Sequence, residues 1–419
     1  MEHRPQLTRR HIGLWGWAVL AIQIVASTTT NAATPEVRSR RAPITVTAEA
    51  EAVHRSALVF DGHNDLPWAL RSLGSSSFER MDIAKPQKEL HTDIPRLLAG
   101  GVGAQFWSVY VPASTMEQGA SLQTTLEQIE IVKQMMKTYP ETFELALTAD
   151  DIERIRSEGR IASLIGMEGG HSIENSINTL RQLYREGARY MTLAHSKTLA
   201  WVDSATDDQP HGGLTDFGEQ VVREMNRLGM LVDISHVSVE TMKDTLRIST
   251  APVMFSHSSA RAIADHPRNV PDDVLKLIAK NDGVVMINFY PGFIQPEAAK
   301  RGVAWMEYRK QLEQTTSDEE AIRAEMKKWE VSHPMPTADI YDVLDHIDHV
   351  VRVAGVDHVG LGSDYDGIDA IPQQLEDVST YPRLTQGLLD RGYTAEQIGK
   401  ILGANMMRVL RGAESARTR

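Results

Sequence analysis

The apolar positions of this chain follow two alternating rhythms. Short, nearly continuous apolar runs, the pattern of buried strands, occur at 57–62, 103–111, 161–167, 189–194, 230–235, 252–256, 283–289 and 357–362. Between them, apolar residues recur every three or four positions, as on helices lying against a core. That spacing predicts helices over 90–99, 120–138, 173–186, 215–228, 238–247, 271–281 and 338–353. A short helix behind Asp150 and Asp151 and a last helical region at 382–411 complete the set. Gly187 and Gly229 mark two helix ends. Strands alternating with helices in this way predict an α/β fold, a (β/α)8 TIM barrel. The interval 296–333 departs from the rhythm: it is highly charged and helix-forming, and predicts a helical insertion packed on the barrel surface.

Several strand-like runs lead into a group that can bind metal or move a proton. The first ends in His63-Asn64-Asp65, the third in Glu168, the fourth in His195, the fifth in His236, the sixth in His257 and the eighth in Asp364. A parallel barrel gathers all its strand C-termini on one face, where active sites of this fold lie. Side chains two apart on a strand share a side, so His63 and Asp65 point together. His63, Asp65, Glu168, His236 and His257 suit zinc, but are too many ligands for one tetrahedral catalytic ion with an open position. Two zinc ions sharing Glu168 distribute them, with His63 and Asp65 on one and His236 and His257 on the other. Such a pair acidifies a water and polarises a carbonyl. Asp364 is then placed to take the nucleophile's proton and return it to a leaving amine.

Blander readings compete. Asp65 can be a helix cap, and Asp364 a turn residue within Gly362-Ser363-Asp364-Tyr365-Asp366-Gly367. His346 and His349, three apart on a helix, read as a solvated face. His171 stands at Glu-x-x-His spacing from Glu168, but Gly169 and Gly170 make a helix there unfavourable.

The formal charge of −12 over 419 residues, without a basic cluster in the body of the chain, excludes a nucleic-acid binder. Residues 1–33 have the order of a signal peptide: Arg9-Arg10, an apolar run from Ile12 to Ala26, then small residues to Ala33. The run is short for a membrane span, the rival being an uncleaved anchor. Thr8-Arg9-Arg10-His11-Ile12-Gly13-Leu14 also resembles a twin-arginine signal. Cysteine is absent, so no disulfide forms, and export without disulfides points to a bacterial periplasm or secretion. The expected organisation is a signal peptide at 1–33, a flexible lead-in at 34–54, a barrel at 55–412 and a polar tail at 413–419. No lipid-anchor tail is expected in the mature chain.

From about Phe60 to Leu410 the chain resembles the membrane (renal) dipeptidases, zinc peptidases of the amidohydrolase superfamily. The resemblance rests on Asp61-Gly62-His63-Asn64-Asp65-Leu66-Pro67-Trp68, Gly166-Met167-Glu168-Gly169-Gly170-His171-Ser172, Thr192-Leu193-Ala194-His195-Ser196, Ile234-Ser235-His236-Val237-Ser238, Phe255-Ser256-His257-Ser258-Ser259, Arg268-Asn269-Val270-Pro271-Asp272-Asp273 and the Asp364 segment. It implies hydrolysis of small dipeptides by two zinc ions held by the five residues above, with Glu168 bridging. It further implies a substrate-contacting His195, an Arg268 that holds the substrate's free carboxylate, and Asp364 as acid/base. Tolerance of a C-terminal D-residue and opening of β-lactam rings would follow. Animal relatives are disulfide-bonded and lipid-anchored. Neither property carries over, so any homodimer is non-covalent. The alternatives are a related barrel hydrolase of lactones or phosphoesters and, more distantly, a metal-binding barrel without turnover.

Overall fold

Strand β1 (Val59–Asn64) starts a parallel sheet whose order is β2-β1-β9-β8-β7-β6-β5-β4, and pairing of β2 with β4 closes it into a barrel. The other strands are β2 (Val102–Tyr110), β3 (Phe143–Leu145), β4 (Ile161–Glu168), β5 (Ala188–Thr192), β6 (Leu231–Asp233), β7 (Met254–Phe255), β8 (Val284–Ile287) and β9 (Val359–Leu361). This computed structural model describes residues 41–418, and the expected signal peptide lies outside them. The barrel and its helices fall in one unit from Pro43 onward. Every residue of β4 is buried, as expected of a parallel strand covered on both faces. Strand β3 is an addition to the eight: it pairs with Ile161–Ser163 at the start of β4, ahead of the stretch that pairs with β5.

The sheet is shorter at the top than the apolar runs suggest. Where 230–235 and 252–256 predict strands, pairing in β6 and β7 covers only Leu231–Asp233 and Met254–Phe255. The cause is local. The Asp233 carboxylate accepts the backbone N–H groups of Ser235 (3.0 Å) and Ser256 (2.8 Å), so side-chain bonds replace the ladder where the strands turn into loops.

Three further expectations need correction. The lead-in is ordered from Ala48: a helix, Ala48–Ser56, starts at Thr47, whose side chain accepts from the Ala50 N–H. Its buried His54 joins Thr385 Oγ1 (2.8 Å) and the Gly100 carbonyl (2.8 Å). The polar tail does not start at the end of the barrel's last helix, which runs on from Asn405 to Ser415 with Ala413 buried. Glu414 there accepts from the Ala149 N–H at 2.8 Å. His346 and His349 are buried, not solvated. His346 ties its helix to the Ala260 N–H (2.9 Å) and the Ile294 carbonyl (3.1 Å), and His349 meets Asp272 at 2.7 Å. The helical spacing of 338–353 was right, but both histidines belong to its inner face.

The insertion is helical, as expected. It forms a helix at Pro296–Thr315 and another at Glu319–Ser332, with Ala298, Ala299, Ile322 and Met326 buried. No helix among the described residues is long and apolar enough to cross a membrane.

Candidate active site

The side chains at the strand ends converge on Glu168. Its Oε2 accepts from Ser108 Oγ on β2 at 3.1 Å and lies 3.5 Å from His63 Nε2. Its Oε1 faces the other way, 3.1 Å from His236 Nε2, 3.4 Å from His257 Nε2 and 3.5 Å from His195 Nε2. His63 Nε2 is also 3.1 Å from Asp65 Oδ2 and 4.0 Å from Asp364 Oδ1. Asp65 does sit at the N-cap of a helix, Leu66–Gly74, but its side chain makes no cap bond and turns to His63 instead.

Two of the imidazoles, His63 and His257, are oriented from behind. Tyr190 Oη stands 2.8 Å from His63 Nδ1. Ser256 Oγ lies 2.7 Å from Asp233 Oδ2 and 2.8 Å from His257 Nδ1. The carboxylate can only accept, so the serine's one proton goes to Asp233 and the serine accepts from His257 Nδ1–H. This assigns the tautomer that leaves His257 Nε2 unprotonated, an acceptor 2.8 Å from His236 Nε2. Asp233 also accepts from Thr192 Oγ1, besides the two backbone groups. Asp61 repeats the arrangement beneath His63. It accepts from the N–H of His63 (3.1 Å), the N–H and Oγ of Ser363 (2.9 and 2.6 Å) and Tyr381 Oη (2.6 Å). Two four-bonded carboxylates thus pin five strand ends.

His236 and Asp364 have φ of 68° and 65°, left-handed values uncommon outside glycine. Asp364 Oδ2 accepts from Asn288 Nδ2 at 2.8 Å. Burial, with Asp65 and Glu168 close by, holds the Asp364 carboxyl well above its ordinary range despite the pull of His63. Burial also pushes Glu168 up, but His63 and His195 outweigh it and keep Glu168 well below its usual value. Burial and the Arg268 charge hold His236 far down, and burial with His63 and Arg268 does the same for His257, so both imidazoles are neutral.

Arg268 is buried below Phe293, its Cζ 5.1 Å from that ring centre. Its Nη1 donates to Ser258 Oγ (3.3 Å) and its Nη2 to the His257 carbonyl (3.2 Å), while Nε is buried without a partner. Burial pulls it down to about 10. The acidic partners offered by the sequence are engaged elsewhere, Asp272 with His349 and Asp273 with Lys243 (2.8 Å). Arg268 and His236 line the same cavity.

All eight candidate residues therefore meet on one barrel face. Ligand atoms of three overlapping groups lie within 4.8 Å of one another: His63, Glu168 and His257; Glu168, His195 and His236; His63, Asp65 and Asp364. His257 thus groups with His63 and Glu168 although its Nε2 is also 2.8 Å from His236 Nε2, and His195 stands among the potential ligands. With its buried, unpartnered His63 Nε2 and lone pairs aimed inward, this donor set fits divalent metal. Sequence reasoning missed Ser108, Tyr190, Asn288, Asp61, Asp233 and Ser256. Asp61 alone carried a signal, standing two positions before His63 on the same strand side.

A barrel with imidazoles and carboxylates gathered at its strand C-termini defines the class of metal-dependent barrel hydrolases. The comparisons narrow it. The family model described as Membrane dipeptidase (Peptidase family M19) matches residues 47–419, and the chain belongs to that family. It is therefore a metal-dependent dipeptidase. Among solved structures, it is similar to the probable dipeptidase PvdM from Pseudomonas aeruginosa, at 22% identity and a TM-score of 0.77, over 88% of this chain and 98% of that one. It is also similar to a metallo peptidase from Rhodobacter sphaeroides liganded with a phosphinate mimic of the dipeptide L-Ala-D-Ala, at 25% identity and a TM-score of 0.70, over 85% and 99%.

Proposed function

We propose that the chain is a binuclear zinc dipeptidase that requires a free C-terminal carboxylate on its substrate. The observation that carries the reading is the split of Glu168, whose two oxygens face opposite donor sets. His63 and Asp65 would hold one ion, His236 and His257 the other, and Glu168 both. When bound, the ions supply Lewis acidity to the peptide carbonyl and to a water. Asp364, buried and held high, takes a proton on its carboxylate and delivers it to the leaving amine. Asn288 fixes the direction of that carboxylate. His195, with 20% of its side chain exposed, faces the substrate beside Glu168.

Arg268 selects the substrate's length. A buried guanidinium without a carboxylate partner is costly, and a substrate carboxylate would relieve that cost with two parallel hydrogen bonds. Placed beside the metal-facing histidines, it accepts only a carboxylate that directly follows the scissile bond. The mimic of L-Ala-D-Ala seated in the Rhodobacter relative supports acceptance of a C-terminal D-residue, and the same amide chemistry extends to β-lactam rings. The sequence of residues 1–33 supports action in the periplasm or outside the cell.

The test compares a dipeptide with its C-terminal amide on wild type and on Arg268→Ala. Loss of a buried charge match costs about 2–5 kcal/mol, so wild type should disfavour the amide by roughly 30- to several-thousand-fold in kcat/KM. The mutant should barely distinguish the two substrates. Equal discrimination by both enzymes would remove Arg268 from this role.

A further inference from the structure

The insertion does more than decorate the surface: it roofs a cavity of about 980 Å³ whose floor includes His236 and Arg268. Trp305 and Met306 of the first insertion helix, with Phe293 and Met335, supply its apolar walls. The two helices are joined across their length. Trp305 Nε1 donates to Glu330 at 2.9 Å, and Arg301 donates to the His333 carbonyl at 2.7 Å with its Cζ 5.2 Å above the Trp329 ring. At its far end the first helix meets the loop after β5, where Lys310 Nζ is 2.7 Å from Asp208. The roof therefore spans the mouth from the β8 side to the β5 side.

Two features of this chamber point to one occupant. A volume near 980 Å³ stands at the top of the roughly 300–1,000 Å³ range that encloses drug-sized ligands, more than two small residues fill. Most charges at the rim are already matched, Lys197 with Asp207 (3.5 Å), Lys310 with Asp208 and Arg309 with Glu313 (2.8 Å), so the apolar wall decides the preference. Resting on the carboxylate role given to Arg268 above, the space next to that residue belongs to the substrate's C-terminal side chain. We infer that the insertion builds a specificity chamber for dipeptides with a large apolar or aromatic C-terminal residue.

Burying such a side chain should favour it by on the order of 10- to 100-fold in kcat/KM over alanine. The experiment uses the zinc-loaded full chain with Ala-Ala, Ala-Phe and Ala-Lys. Wild type should prefer Ala-Phe, and Trp305→Ala should bring the Ala-Phe to Ala-Ala ratio towards one, chiefly through KM. Met306→Glu provides a second variant should Trp305→Ala fold poorly. It should lower Ala-Phe and raise Ala-Lys. Wild-type rates on Ala-Ala and Ala-Phe within threefold, or a preference for Ala-Lys, would overturn the chamber while leaving the dipeptidase reading intact. Preference for Ala-Phe that survives both substitutions would overturn it as well. If none of the three dipeptides is turned over, both readings fall together.

Discussion

The floor and the roof of the site are built by opposite means. On the floor, Asp61 and Asp233 each accept four hydrogen bonds in full burial, and they tie together the strand ends that carry His63, His236 and His257. On the roof, two helices stand largely in solvent, with ion pairs such as Lys300–Glu297 and Lys328–Glu325 on their outer faces. Buried networks hold geometry because an unmatched member is costly, whereas exposed pairs contribute about 0–1 kcal/mol each. Chemistry is thus fixed by the part of the chain that cannot shift, and selection among substrates is left to the part that can change residue by residue.

The sharpest way to break this contrast is at the centre of the floor. If Glu168 bridges two ions, Glu168→Gln removes the charge shared between both donor sets, so the dialysed protein should lose bound zinc and its activity while far-UV circular dichroism keeps the barrel signature. Two full equivalents of zinc by elemental analysis would refute the bridge. Next in size, Asp364→Asn should keep its metal and lower kcat by roughly 10²–10⁴-fold. An unchanged kcat would reduce Asp364 to a turn residue.

A smaller effect tests the braces themselves. Asp233→Asn lets Ser256 donate elsewhere and frees the His257 ring, and such outer partners typically govern about 10–100-fold in metal affinity. Chelator competition should show weaker zinc retention of that order. The roof gives the smallest change: Lys310→Ala should alter kcat/KM by less than about fivefold and leave thermal stability nearly unchanged. If Lys310→Ala matched Asp233→Asn in severity, floor and roof would not differ in kind.

The same contrast governs what could be read from the chain. His63, Glu168, His257 and Asp364 were legible because each ends an apolar run, and a closed parallel barrel turns that position into a shared face. The braces were not. Asp233 looks like an ordinary residue inside an apolar run, and only pairing with Ser256 on the next strand reveals its role. The helix at Ala48–Ser56 was missed because its alternating Ala and Glu residues carry no apolar stripe, and its buried residues are the small Ala50 and the polar His54. The burial of His346 and His349 was equally hidden, since their partners are backbone groups and Asp272, distant in sequence. Helices in the insertion were readable from composition, but that they cover the cavity depends on where the chain crosses the barrel mouth.

The left-handed turns at His236 and Asp364 also set which histories are open to this site. A backbone of that hand suits glycine, asparagine and aspartate, tolerates histidine, and disfavours most other side chains. At Asp364, then, the step to asparagine is nearly free of backbone cost, and the chain can lose the acid/base group proposed for it by drift without first losing its fold. His236 has no such neighbour that keeps an imidazole. Replacement there by alanine, valine or leucine disturbs the chain path as well as the donor set. Related barrels that have gone silent should therefore carry asparagine or glycine at these corners more often than alanine.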